Sequence, residues 1–120
     1  MVVTATTSPT PVLSGEWLWP GAHINALGAP RPDWRELDDE VLRRAKVYVD
    51  SREAAMKESG DVIAASGGVL AELGEVVSGA EQGRRSSEEV TLFKSLGLAV
   101  EDVATAELVY HKALGALGGA

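Results

Sequence analysis

Thr6, Thr7 and Leu27 are the residues whose types and positions could do chemistry first. They close two β-prone runs, Val2-Val3-Thr4-Ala5-Thr6-Thr7 and Ala22-His23-Ile24-Asn25-Ala26-Leu27-Gly28. In a parallel sheet the carboxyl ends of strands are where ligands sit. Hydroxyls there could hydrogen-bond a ligand, and Leu27 could cover an aromatic ring. By pattern alone the reading as ordinary strand-end residues wins, because Thr is common at strand ends.

Other chemistry-bearing groups weigh less. Asp50 ends a short apolar run, as a phospho-acceptor aspartate does, but that chemistry needs an early acidic pair, and residues 1–15 hold no acid. Lys94 alone is weak support for it, so Asp50 reads as a helix cap or turn residue. Glu58 and Asp61 bracket Ser59-Gly60 at a helix end, a poor place for an acid in the helix dipole, and read as solvated unless a partner or ligand lies nearby. Arg84-Arg85-Ser86-Ser87 could hold an anion, yet such a Gly-flanked pair usually faces water. Trp17, Trp19 and Trp34 are expected to pin loops to the core. No cysteine is present, which excludes disulfides and thiolate chemistry. His23 and His111 are the sole histidines, so no metal site is expected. Neither Gly-x-Gly-x-x-Gly nor Gly-x-x-x-x-Gly-Lys occurs, so no phosphate-cradling loop is expected.

The elements that must position these residues follow from local signals. Strands are expected over 2–7, 22–27, 47–50 and 90–93, with Ser8-Pro9-Thr10-Pro11 ending the first. Asp33 and Glu36 stand three apart and predict a capped helix start, with Leu37, Val41, Leu42 and Ala45 on its buried face. Ser51 caps a short helix over 52–59. Residues 61–83 read as short helical pieces and loops between glycines. A last helix follows Gly97, with a stripe of Val100, Val103, Ala106, Val109, Tyr110, Ala113, Leu114 and Leu117, and the tail Gly118-Gly119-Ala120 is expected to fray. Strand, helix, strand with short links is the unit of a parallel α/β sheet. The strand opening at residue 2 reads as an interior one, whose missing neighbour would leave an apolar edge and a poorly soluble chain.

The chain has 120 residues, a hydrophobic fraction of 45% and a net charge of −7. Those numbers fit one small domain or part of a larger one, and the acidity disfavours a nucleic-acid partner. No stretch approaches the roughly 18–20 apolar residues of a membrane span, and no secretory signal is evident, so a cytoplasmic protein is expected.

Several blocks, in order, carry a more specific likeness. Gly15-Glu16-Trp17, Pro20-Gly21-Ala22-His23-Ile24-Asn25-Ala26, Arg31-Pro32-Asp33-Trp34-Arg35-Glu36-Leu37-Asp38 and Val49-Asp50-Ser51 begin it. Lys57-Glu58-Ser59-Gly60-Asp61, Glu72-Leu73-Gly74-Glu75-Val76, Phe93-Lys94-Ser95-Leu96-Gly97 and Ala99-Val100-Glu101-Asp102 extend it over nearly the whole chain. The sequence resembles the ornithine cyclodeaminase/mu-crystallin family. The resemblance implies the C-terminal half of a Rossmann-type parallel sheet with flanking helices and a long C-terminal helix. Residues 1–95 would be a partial NAD(P)-binding domain and 96–120 the C-terminal helix. It further implies an NADPH-dependent ketimine reductase, with NADH possible as cofactor, that acts on cyclic ketimines, also binds thyroid hormones and is a cytoplasmic homodimer. By matched position, Thr6, Thr7, Leu27 and Ser95 would contact NADPH, Leu96 would lie beside the nicotinamide, and Glu58 would contact a bound thyronine. No catalytic residue is assigned within the chain.

One departure bears on chemistry. Where the family's cyclodeaminases carry a catalytic aspartate, and its crystallins a serine, this chain has Pro30, which can neither shuttle a proton nor donate a hydrogen bond. Deamination is therefore not expected. The family's phosphate loop, early strands and basic substrate-binding residues have no counterpart in these 120 residues. The alternative to a reductase is a non-catalytic hormone-binding or interaction protein.

Overall fold

A computed structural model describes residues 1–117. Five strands form one sheet: β1 (Val2–Thr4), β2 (His23–Ala26), β3 (Lys46–Val49), β4 (Ala71–Glu72) and β5 (Thr91–Lys94). Their order is β1-β2-β5-β3-β4, and every pairing is parallel. The helices are α1 (Asp39–Arg44), α2 (Arg52–Glu58), α3 (Gly60–Ala64), α4 (Leu73–Val77) and α5 (Ala99–Leu117), with a 3-10 turn at Gly15–Trp17. This is the expected Rossmann-type α/β architecture with its long C-terminal helix. Expected strands 2–7, 22–27, 47–50 and 90–93 are present within a few residues, and β1 and β2 are neighbours. Within this chain β1 is an edge strand, and Val3 is exposed.

One face of the sheet makes the core. Ile24 and Ala26 of β2, Val47 and Val49 of β3, and Leu92 of β5 meet Val41 and Leu42 of α1, Ala55 of α2 and Val62 of α3. β5, last in sequence, is inserted between β2 and β3 and is therefore paired on both sides. The alternate residues His23, Asn25, Tyr48, Thr91 and Phe93 line a cavity of about 430 Å³, together with Leu73, Val76, Gly83 and Arg84. None of the expected cofactor or hormone contacts lies in that cavity.

The helix expected from Asp33 starts later. Leu37 bridges Leu13, and Asp38 is extended instead, because Val12 N and Leu13 N donate to Glu36 O and Asp38 N donates to Leu13 O. The cap belongs to Asp38, whose carboxylate accepts from Val41 N at 2.8 Å. Val41 and Leu42 are the buried residues of α1, and Leu37, bridged to Leu13 before the helix, and Ala45, its C-cap, are buried beside them. Asp39 and Glu40 in the first turn of α1 and Arg43 and Arg44 in its last complement the helix dipole. Ser51 caps α2, accepting from Ala54 N at 3.3 Å. Strand β4 was not anticipated, because two residues cannot show a period. Helix α5 is exposed on every side from Ala99 to Ala116, including the expected stripe from Val100 to Leu114, while the Leu117 side chain lies outside the described residues. The expected fraying of residues 118–120 lies outside the described residues. No helix of the described residues is long and apolar enough to cross a membrane.

Candidate functional site

Register brings the strand tips together. Thr4 pairs with Ala26, Ala26 with Lys94, and Lys94 with Val49. The residues that follow therefore leave the sheet at one edge, on adjacent strands: Thr6 and Thr7 after β1, Leu27 after β2, Ser95 and Leu96 after β5, and Asp50 after β3. Thr6, Thr7 and Leu27 are exposed, while Ser95 and Leu96 are half-buried. The ladder continues into these loops, with Leu27 N donating to Thr4 O at 2.8 Å and Ser95 N to Ala26 O at 3.2 Å. Glu58 makes no hydrogen bond to these residues among those described. It is the exposed last residue of α2, held beside the loop after Pro30 because Gly60 N donates to Arg31 O at 3.0 Å.

Beneath this edge lies a buried charged cluster. Glu36 is fully buried, and its carboxylate accepts from Thr4 Oγ1 at 2.8 Å, Thr6 N at 2.6 Å and Gly28 N at 2.9 Å. Burial alone would raise its pKa, but the Thr6, Thr4 and Gly28 hydrogen bonds outweigh it and hold the carboxyl below its ordinary value. Lys94 is also fully buried, with its Nζ donating to Gly28 O and lying 3.4 Å from Asp61 Oδ2. The other Asp61 oxygen accepts from Glu36 N at 3.0 Å and Leu37 N at 3.1 Å. Burial pushes the Asp61 carboxyl above its ordinary value, with Lys94 and the two amides opposing it only in part. The solvated reading of Asp61 is thus overturned. An ionised carboxylate costs several kcal/mol to bury unless it is paired, and here an ammonium group stands opposite it.

Asp50 does more than turn the chain. One oxygen accepts from Ser51 N at 2.7 Å, and the other from Ser95 Oγ at 3.0 Å, Leu96 N at 2.7 Å and Gly97 N at 2.9 Å. It ties the loop after β5 to the tip of β3. Gly97 takes a φ of 84° there, which favours glycine.

Two further expectations are corrected. Arg84 is not simply solvated: its guanidinium donates to Gly21 O at 2.7 Å, Ala22 O at 3.2 Å and Thr91 Oγ1 at 2.9 Å, closing the loop over the start of β2. Trp17 and Trp19 are 66% and 58% exposed and pin nothing. Trp34 is half-buried, with the Arg31 guanidinium 4.7 Å from its ring centroid. Sequence reasoning missed Glu36 and Lys94 as site-building residues. The one available signal was that Lys94 continues a β-prone run in which a charge is out of place.

The edge offers exposed hydroxyls and an apolar side chain at the carboxyl ends of parallel strands, where ligands of such sheets bind. It offers no glycine-rich cradle for a pyrophosphate, and no group of His, Cys, Asp and Glu that could hold a metal is present among the described residues.

Comparison with known proteins bears on the family and the fold. A sequence model of the Ornithine cyclodeaminase/mu-crystallin family matches residues 1–116. The chain is 60% identical over 110 residues to the ketimine reductase mu-crystallin of Mus musculus, covering 92% of this chain and 34% of that protein. It thus spans about a third of the length of the curated relatives it matches. Among solved structures, the Δ1-pyrroline-2-carboxylate reductase of Thermococcus litoralis, in complex with NADH and L-proline, superposes with a TM-score of 0.85 at 46% identity. That match covers 95% of this chain and 38% of the other. An archaeal alanine dehydrogenase dimer with bound NAD superposes with a TM-score of 0.81, also at 46% identity, covering 95% of this chain and 38% of that one.

Proposed function

Because the chain belongs to the ornithine cyclodeaminase/mu-crystallin family, we propose that its strand-tip edge forms the nicotinamide side of the cofactor site in an NADPH-dependent reductase of cyclic ketimines. The observation that carries this reading is the exit of Thr6, Leu27 and Ser95 at one edge of three adjacent parallel strands. Solved relatives with the same sheet hold NADH and NAD. A bound nicotinamide nucleotide supplies the hydride, and the protein's part is to orient it. In this reading Thr6, Thr7, Leu27 and Ser95 contact the cofactor and Leu96 lies beside the nicotinamide. Pro30, exposed at the same edge, has no proton to exchange, which favours reduction of a C=N bond over deamination.

In this reading residues 1–95 form part of the nucleotide domain, and α5 (Ala99–Leu117) is the helix that leaves it. The all-round exposure of α5 from Ala99 to Ala116 supports that division and supports assembly into a homodimer. Lacking a phosphate cradle, the 120-residue chain by itself binds the nucleotide weakly and turns over no ketimine. Titrating isotope-labelled chain with NADPH, and separately with NADH, tests the reading. Amide shifts should move at Leu27, Ser95 and Leu96; absence of any shift there with either nucleotide refutes it.

A second reading, hormone binding without catalysis, rests on Glu58. Its carboxylate is exposed at the end of α2, where the dipole disfavours an acid, while its neighbour Lys57 is engaged with Glu53 at 2.7 Å. Thyronine binding that weakens in Glu58→Gln supports it, and equal binding by both proteins removes it.

A further inference from the structure

Gly28 is gripped by two buried side chains of opposite charge. Its N–H donates to Glu36 Oε2 at 2.9 Å, and its carbonyl accepts from Lys94 Nζ. Both side chains are fully buried, so neither interaction is diluted by water. A Cβ on Gly28 would fall within 3.0 Å of Thr6 O and of the Glu36 carboxylate, so the loops after β1 and β2 touch here. The next residue, Ala29, is fully buried and takes a φ of 51°, a conformation that a residue with a Cβ adopts at a cost. Such a conformation persists only where its surroundings over-determine it. Here Ala29 N also donates to Thr6 O at 3.2 Å.

We infer that Glu36 and Lys94 are positioning residues that clamp the Gly28 peptide group, and thereby set where Leu27 and Thr6 stand at the strand-tip edge. The inference deepens the proposed cofactor site and rests on that reading only for its effect on binding. A carboxylate has acceptors alone, and here it satisfies two loop amides at once. In Glu36→Gln, either orientation of the carboxamide sets an N–H donor against Thr6 N–H or Gly28 N–H.

The test compares Glu36→Gln and Thr4→Val with the wild-type chain by residue-resolved amide hydrogen exchange. In Glu36→Gln, exchange at Thr6 and Gly28 is expected to rise at least about tenfold, while Leu92 and Val49 in the sheet keep their protection. Nucleotide affinity should fall about tenfold, the equivalent of one lost hydrogen bond. Thr4→Val removes one donor and leaves both loop amides on the carboxylate, so exchange at Gly28 should stay near wild type. Unchanged exchange at Gly28 in Glu36→Gln, or a uniform rise across the sheet, overturns the clamp. So does a Thr4→Val variant indistinguishable from Glu36→Gln. If wild type binds no nucleotide, the cofactor reading fails while the exchange data still decide the clamp. Should Glu36→Gln not fold, Lys94→Met reads the other side: the Gly28 carbonyl carbon resonance must shift upfield, and its constancy refutes the inference.

Discussion

Gly28→Ala is the perturbation whose outcome the structure specifies most sharply. The added Cβ would lie 2.5 Å from Thr6 N and within 3.0 Å of both Thr6 O and Glu36 Oε1. Two of these three atoms are backbone, so no rotamer change relieves the overlap. The β1 exit must retreat, which breaks or lengthens the 2.6 Å bond from Thr6 N to a buried carboxylate. Overpacking costs about 1–3 kcal/mol, and weakening a charge-assisted hydrogen bond in a buried site costs a similar amount again. A loss of about 3 kcal/mol is therefore expected, or roughly 12 °C in Tm at about 4 °C per kcal/mol for a domain near this size. Thermal melts followed by circular dichroism, with urea denaturation at 25 °C, measure it. Gly74→Ala is the matched control: nothing stands within 4 Å of its Cβ, and it lies inside α4, so it should hold or raise Tm. A Gly28→Ala protein melting within about 1 kcal/mol of wild type would refute the close approach on which the site rests.

Further outcomes follow from the same geometry. Asp38 caps α1 and also accepts from Ser14 Oγ at 2.8 Å and Gly15 N at 3.0 Å, so Asp38→Ala should cost about 2 kcal/mol in urea unfolding. Ala29→Gly relieves a φ of 51° but also deletes a fully buried methyl, so it should change stability in urea by less than about 1 kcal/mol, and a loss of about 2 kcal/mol or more would show that the relief of strain is negligible. Glu36 and Asp38 are both held below their ordinary values, 4.5 and 3.8. Their stabilisation is present above those values and lost as pH falls below them. Asp61, held above 3.8, acts with the opposite sign, its contribution falling as pH rises through its raised value. Melts between pH 3 and 6 should therefore show an acid limb that is shallower in Glu36→Gln than in wild type, and identical limbs would remove Glu36 from the account.

Elements with short-range signals are legible in the amino-acid order alone. The β-prone runs marked β1, β2, β3 and β5, Ser51 marked the start of α2, and the apolar spacing of Leu37, Val41, Leu42 and Ala45 marked a buried face. Thr6, Thr7 and Leu27 were legible as strand-tip residues for the same reason, and the ordered motif blocks were enough to identify the family. Only the tertiary structure decided where the charges went. Asp33 and Glu36 carry a respectable capping signal, yet the extended pairing of residues 12–13 with 36–38 takes the backbone groups a helix would have used. Glu36 reaches Thr4 across 32 positions, Asp61 reaches Lys94 across 33, and Lys94 reaches Gly28 across 66. Whether a charged side chain is buried depends on partners at such separations, and no local period records them. The insertion of β5 between β2 and β3 is what brings those partners to one place.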